Sequence, residues 1–180
     1  MRIRFAGFGG QGVVLCGFII GKAAMLEGKN AIHTQSYGSA SRGGLTKSDV
    51  GISDTEIYDL AYDELDVLVT MSQQSYDKYC AELSRDGLLF YESDLVQIAR
   101  APGRQVYGTG ATDIAYKQFG RKIMANLIMV GFVNEIAQIV DQTALRRTIT
   151  ESVPRGTEEK NLLACAEGER LGREALANSD

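Results

Sequence analysis

Six residues close to the start of the chain, Gly7-Phe8-Gly9-Gly10-Gln11-Gly12, have the composition and spacing of an anion-binding turn. They follow a short mixed segment at 2–6 and precede an apolar, periodic stretch at 13–26, so the pattern reads strand, glycine turn, helix. Such a turn exposes backbone N–H groups, and the helix dipole behind it favours negative charge. The spacing satisfies GxGxxG, yet a dinucleotide site also needs an acidic residue about twenty positions further on to hold the ribose. The sequence offers Asn30, His33, Thr34, Gln35 and Ser36 there, with no carboxylate. A Walker loop is missing too, because Gly21-Lys22-Ala23 lies inside the helical stretch and lacks the following Ser or Thr. Three uses of this loop stay open: close helix–sheet packing, contact with a partner or cofactor, and an independent small-molecule site.

A second small and polar run, Ser36-Tyr37-Gly38-Ser39-Ala40-Ser41-Arg42-Gly43-Gly44, reads as an exposed loop. Arg42 brings a five-donor fork suited to carboxylate or phosphate, and Gly43 and Gly44 let another backbone come close. A turn docking on a partner subunit, contact with a cofactor or substrate, and plain solvent exposure are the three readings. His33 sits in or beside a strand without an evident acid–base partner, so a structural role is expected. Cys16 lies near a helix start, where a thiolate would be stabilised, but its apolar neighbours favour a buried small hydrophobe. Asn126, Asn134 and Asn161 read as packing anchors that reach neighbouring backbone.

The composition narrows the chemistry further. The three cysteines at 16, 80 and 165 form neither a CxxC pair nor the ligand run of an iron–sulfur cluster, and one histidine makes a metal site from this chain alone improbable. An odd, scattered cysteine set and the lack of a signal segment or long apolar span predict a soluble cytoplasmic protein with no membrane association. The net charge of −4 is unevenly spread. Residues 1–50 carry six basic against two acidic side chains, residues 51–100 three against eleven, and the remainder ten of each. The basic first segment suits an anionic ligand, whereas the acidic second segment disfavours nucleic acid; simple solvation of the surface would account for the same pattern.

These residues need elements to hold them. Besides the first strand and helix, with Gly28 as its stop, strands are predicted at 31–36, 46–53, 66–71 and 87–91, with a short edge element at Val106-Tyr107. A helix with Ser72 as N-cap is expected to run to Leu83. The longest periodic segment, 121–140, predicts a buried helix with Ile123, Leu127, Val130 or Gly131, Asn134 and Ala137 near one face. Shorter helices follow at 143–151 and 157–175, separated at Val153-Pro154-Arg155-Gly156. At 180 residues with 44% hydrophobic content the chain is one domain over 1–180, including the helices at 121–175. The fold class is α/β, a single three-layer domain around a mostly parallel sheet, Rossmann-like but without the full dinucleotide fingerprint.

The run Gly7 to Gly12 continuing as Gly12-Val13-Val14-Leu15-Cys16-Gly17 resembles the gamma subunit of 2-oxoacid:ferredoxin (acceptor) oxidoreductases, as do Ser36-Tyr37-Gly38, Ser41-Arg42-Gly43-Gly44 and the strand to Ser53. The likeness continues through Asp66-Val67-Leu68-Val69, Asn126 with Gly131, and Asn161 to Gly168. It implies a multisubunit enzyme that oxidatively decarboxylates a 2-oxoacid to an acyl-CoA. The 2-oxoglutarate type is favoured over the pyruvate and branched-chain types, and a stand-alone nucleotide-binding Rossmann-like protein is the contrasting alternative. The resemblance places thiamine diphosphate on alpha and beta chains and iron–sulfur clusters on a ferredoxin-like delta chain. No catalytic residue, metal or cofactor belongs to this chain alone, and the isolated chain is expected to be inactive and able to form a homodimer. Gly7, Gly9, Gly10, Gln11, Gly12, Tyr37, Gly38, Ser41, Arg42, Gly43 and Gly44 match the family's two loops, for which the resemblance implies subunit contact and a coenzyme A-side role.

Overall fold

A computed structural model describes residues 1–38, 44–57, 64–99 and 105–178. The predicted first strand is β1 (Arg2–Phe8), and it delivers the chain into α1 (Val13–Leu26). Gly28 stops that helix as expected, with φ +80°. Its N–H donates to the Met25 carbonyl and that of Lys29 to Ala24, the paired bonds of a glycine-terminated helix. A hairpin follows, made of β2 (Asn30–Tyr37) and β3 (Leu45–Ser53). Then come β4 (Leu65–Thr70), α2 (Gln73–Tyr79), β5 (Leu83–Glu92) and β6 (Gln105–Thr109). The chain finishes with α3 (Ala111–Phe119), α4 (Ala125–Ala137), α5 (Gln142–Ser152) and α6 (Glu158–Ala177).

The sheet order is β2-β3-β1-β4-β5-β6. β1, β4, β5 and β6 pair in parallel, while β3 runs antiparallel to both β1 and β2. Five strands therefore share one direction, and the mostly parallel α/β expectation stands. Alternation decides the two faces. Ile3, Phe5, Val50, Val67, Val69 and Phe90 join α1 and α4 in the larger core, whereas Ala6, Leu68 and Leu89 meet Tyr76, Tyr79 and Val96 on the α2 side. Also on the α2 side, buried Arg4 makes a two-pronged contact with Asp49, Nε to Oδ1 at 2.5 Å and Nη2 to Oδ2 at 3.1 Å. It also donates to Glu82 and lies 4.7 Å from the centre of the Tyr79 ring. The Arg4–Asp49 pair clamps β1 to β3, and the Arg4–Glu82 contact draws the basic first segment onto the acidic second, so their uneven charges partly cancel in space.

Several elements differ from the sequence expectation. Ser72 does cap α2, exchanging bonds with Ser75, but the helix stops at Tyr79 because Leu83 is needed to open β5 opposite Leu65. The helix expected over 121–140 begins at Ala125, since extended Arg121 and a 3-10 turn at Lys122–Met124 precede it. Ile123 is consequently exposed. α4 has no single buried face: every residue from Ala125 to Asn134 is buried. One side meets the core and the other meets α6, where a Cβ on Gly131 would run into the Cys165 carbonyl and one on Gly168 into that of Ile128. Backbone-to-backbone approach of this kind requires glycine. α6, at 20 residues, is the longest helix. α3 was not anticipated; Gly110 opens it and Gly120, at φ +71°, closes it. Among the described residues no helix is long and apolar enough to cross a membrane.

Candidate functional site

Parallel sheets leave a crevice beyond the carboxyl ends of their strands, where loops and helix N-termini converge. Here that edge is formed by the Gly9–Gly12 turn after β1, Met71 after β4, Leu95 after β5 and Thr112 after β6. Gly10 and Gly12 adopt φ values of +97° and +80°, a backbone region that favours glycine. Gly12 also fits tightly against Asn126 at the start of α4, leaving no room for a Cβ. No side chain caps α1, so its first N–H groups remain available at the turn.

The structure brings the two glycine loops together. The Gly9 N–H donates to the Gly44 carbonyl at 3.0 Å, and Thr46 Oγ1 donates to the same carbonyl at 3.3 Å. Tyr37 and Gly38 end the neighbouring strand, with the Gly38 N–H donating to Leu45 at 2.8 Å. Ser41, Arg42 and Gly43 lie outside the described residues. Gln11 is committed internally: Oε1 accepts from the Phe8 N–H at 2.6 Å and Nε2 donates to the Met71 carbonyl at 2.7 Å. It therefore braces the turn against the end of β4. Gly7 sits beneath this brace, where a Cβ would meet Gln11 Oε1 and approach Met71 and Val13.

Two adjoining cavities open at this edge. One, of about 230 Å³, is lined by Gly10, Gln11, Met71, Leu95, Thr112 and Lys122 among others. The second, of about 670 Å³, shares Leu95, Thr112 and Lys122 and adds Asp94, Asp113 and Tyr116. Leu95 and Tyr116 are exposed at its rim. The acidic side is already engaged. Asp94 Oδ2 accepts the Asp113 N–H at 2.7 Å, and fully buried Glu92 accepts Thr112 Oγ1 at 2.7 Å. These carboxylates occupy the N-terminus of α3. Burial raises the Glu92 pKa above the ordinary carboxylate value, against the opposing hydrogen bond from Thr112. Lys122 is the cationic side chain lining both cavities.

This arrangement can receive an anionic group at the turn and an apolar chain along the rim. It does not assemble a nucleophile with a base. Cys16 is buried, donates toward the Asn126 carbonyl at 3.6 Å, and has its thiol pushed up to about 12 by burial. His33 lies on β2 and bonds Ser48 Oγ through Nε2 at 2.7 Å, with desolvation lowering its pKa. Both have the structural surroundings expected of them. Asn134 holds the Val140 backbone through two bonds of 2.9 and 3.0 Å, and Asn161 Nδ2 donates to the Thr157 carbonyl at 2.8 Å. Among the described residues no three His, Cys, Asp or Glu side chains converge as a metal site. β3 intervenes between β1 and β2, so the position that would carry a ribose-binding acid is a further strand away from the turn. Lys122, Thr112 and Leu95 join the site without a motif of their own in the sequence. Their signal, a position just beyond a strand or before a buried helix, becomes readable once the sheet order is known.

Known proteins share this framework over nearly its whole length. The 2-oxoglutarate synthase subunit KorC of Methanocaldococcus jannaschii is 42% identical over 176 residues, covering 96% of this chain and 94% of that one. The KorC subunit of Methanothermobacter thermautotrophicus is 43% identical over 177 residues, covering 94% of each chain. The gamma subunit of a keto/oxoacid ferredoxin oxidoreductase from Geobacter sulfurreducens superposes with a TM-score of 0.86 at 34% identity, covering 97% of this chain and 99% of that one. The same fold, at a TM-score of 0.88 and 20% identity, forms 31% of a longer chain of a 2-oxoglutarate:ferredoxin oxidoreductase from Magnetococcus marinus, solved with 2-oxoglutarate, coenzyme A and succinyl-CoA bound. Residues 2–171 match the family model for pyruvate ferredoxin/flavodoxin oxidoreductase, and the chain belongs to that family.

Proposed function

We propose that this chain is the gamma subunit of a 2-oxoglutarate:acceptor oxidoreductase, working in the cytoplasm. The enzyme would convert 2-oxoglutarate and coenzyme A to succinyl-CoA and CO2 while two electrons pass to ferredoxin or a similar carrier. The observation that carries this reading is the near end-to-end likeness, above 40% identity, to two 2-oxoglutarate synthase subunits.

Redox chemistry needs donors that this chain's cysteines are poorly placed to supply. Two of the three cysteines are buried and far apart in sequence, which does not fit a cluster. Thiamine diphosphate on partner alpha and beta chains supplies the electron sink for decarboxylation, and a ferredoxin-like delta chain carries the electrons onward. Coenzyme A fits this chain's edge better. The N–H groups of Gly10 and Gly12 and the Lys122 ammonium are suited to its phosphates, and the family likeness adds Arg42. The rim of Leu95 and Tyr116 is suited to its apolar arm. Gly7, Gly9, Gly12, Gly38 and Gly44 shape the ends of the two loops and Gln11 holds the first in place, while Gly10, Tyr37, Ser41, Arg42 and Gly43 join the coenzyme side by the family likeness.

Co-expression with the alpha, beta and delta chains tests the reading. The complex should oxidise 2-oxoglutarate in preference to pyruvate and to branched-chain 2-oxoacids, and the isolated chain should oxidise none. In the complex, Lys122→Ala and Arg42→Ala should each raise the KM for coenzyme A several-fold with little change in the KM for 2-oxoglutarate. A chain that fails to assemble, or unchanged coenzyme A kinetics in both variants, would overturn the corresponding part.

A further inference from the structure

Three asparagines are buried in the helical layer, and they use their amides differently. Asn134 spends both ends of its amide on the Val140 backbone, and Asn161 donates from Nδ2 to the carbonyl and the hydroxyl of Thr157. Asn126, only 3% exposed, spends one end: Oδ1 accepts the Leu127 N–H at 2.8 Å at the start of α4. An N–H can bond only the oxygen, so this contact fixes which way the amide faces. Nδ2 is turned to Gly12, where a Cβ would strike it, and among the described residues nothing accepts its protons. A buried amide donor without an acceptor costs free energy, and native structures keep few of them.

The corner that Nδ2 faces is itself short of acceptors. α1 opens at Val13 with no side-chain cap, and among the described residues nothing accepts from the N–H groups of Gly12, Val13 or Val14. Three backbone donors therefore stand at the positive end of a 14-residue helix, with a side-chain NH2 beside them. Their mutual placement is fixed by packing. Cys16 Sγ donates toward the Asn126 carbonyl at 3.6 Å and ties the first turn of α1 to α4. The cavity of about 230 Å³ is walled by Gly10 and Gln11 from the turn and by Ala125, the residue before Asn126.

We propose that Asn126 is a ligand-binding residue: its Nδ2 and the N–H groups of Gly12, Val13 and Val14 form an oxyanion cup, which takes the diphosphate of coenzyme A. The inference rests on the coenzyme A reading above and adds to it a side chain and a choice between the coenzyme's two phosphate-bearing parts. The cup holds only neutral donors. Each phosphorus of a diphosphate diester carries a single negative charge, which such dipoles match, and Lys122 on the same cavity supplies a cation for the second phosphate. A 3′-phosphate monoester concentrates nearly twice that charge on one phosphorus and calls for a cation or an Arg fork.

Asn126→Asp separates the cup from the fold. The carboxylate keeps an oxygen for the Leu127 N–H and sets a negative charge at the N-terminus of α1, which favours the fold while filling the cup. In the assembled complex this variant should raise the KM for coenzyme A about ten-fold or more, the scale of one hydrogen bond to a charged group. 3′-Dephospho-coenzyme A should suffer the same loss. Pantetheine, which lacks the diphosphate, and 2-oxoglutarate should keep their parent KM values. Asn126→Ala removes the donor without adding charge; it should show the same pattern at several-fold, and it carries the test if Asn126→Asp does not fold. Calorimetry of the isolated full chain with inorganic pyrophosphate reads the cup without turnover, and binding should weaken in both variants. A loss with coenzyme A but not with its dephospho form would overturn the diphosphate assignment. An equal loss with pantetheine, or unchanged binding and kinetics, would overturn the role of Asn126. A complex that prefers another 2-oxoacid while the pyrophosphate difference persists would sink the 2-oxoglutarate reading and leave the cup standing.

Discussion

Replacing Gln11 probes how the glycine turn is held. Gln11→Ala removes two hydrogen bonds, from the Phe8 N–H at 2.6 Å and to the Met71 carbonyl at 2.7 Å, and leaves both backbone groups to find water. At about 0.5–1.5 kcal/mol for each bond, the loss is about 1–3 kcal/mol. For a domain of this size each kcal/mol lowers Tm by about 2–4 °C. Gln11→Glu separates the two bonds: a carboxylate still accepts from Phe8 but meets the Met71 carbonyl with no proton to donate. The repulsion raises the new carboxyl's folded pKa, so its stability deficit should shrink as the pH falls through that pKa and the group regains a proton. Urea unfolding followed by circular dichroism, at one fixed protein concentration, measures both variants. A loss under about 0.5 kcal/mol for Gln11→Ala, the low end for even one bond, would refute the brace. So would a Gln11→Glu chain as stable as the parent at neutral pH.

Three further outcomes follow from the same packing. Gly12→Ala should cost more than Gly10→Ala in thermal melts: both pay about 1–2 kcal/mol for a left-handed backbone, but only Gly12 also meets Asn126, whereas space around Gly10 is open. Gly168→Ala should destabilise by about 1–3 kcal/mol or more in urea titrations, because the new methyl meets the Ile128 carbonyl and the Phe132 N–H, and backbone cannot rotate aside. His33 has a folded pKa below its ordinary value of 6.5, so the unfolded chain binds its proton first. Its contribution should therefore be absent above about pH 7 and increasingly unfavourable as pH falls through 6.5, and His33→Asn should flatten that part of the stability profile.

Local signals were readable where one residue type answers one local need. The bounds of α1 follow from the glycine turn before it and Gly28 after it, and Ser72 announces α2. Where tertiary needs compete, the signal fails. The chain leaves α2 early because β5 takes Leu83 as a strand residue, and the apolar run at 121–140 hides a 3-10 turn, since helical periodicity cannot distinguish a residue facing the core from one facing a cavity. α3 escaped notice because Ala111–Phe119 is short and only Ala111 and Ala115 are buried in it. The loop residues carrying the family likeness could be named in advance, but the contact of Gly9 with Gly44 is set by the β1–β3 pairing between segments nearly forty residues apart.

The sequence by itself determined the class of domain, the identity of the two glycine loops and the kinship, since each rests on residue types at short spacing. It also limited the chemistry, because so few cysteines and a lone histidine leave little from which to build a redox or metal centre. The tertiary structure decided which face each helix buries, that Gln11 acts as a brace, and that Lys122, Thr112 and Leu95 share a crevice with the turn. Those outcomes depend on strand order and register, which bring together side chains separated by tens to more than a hundred residues. Hydrophobic burial and backbone pairing select that order over the whole chain at once, so no short stretch of sequence contains it.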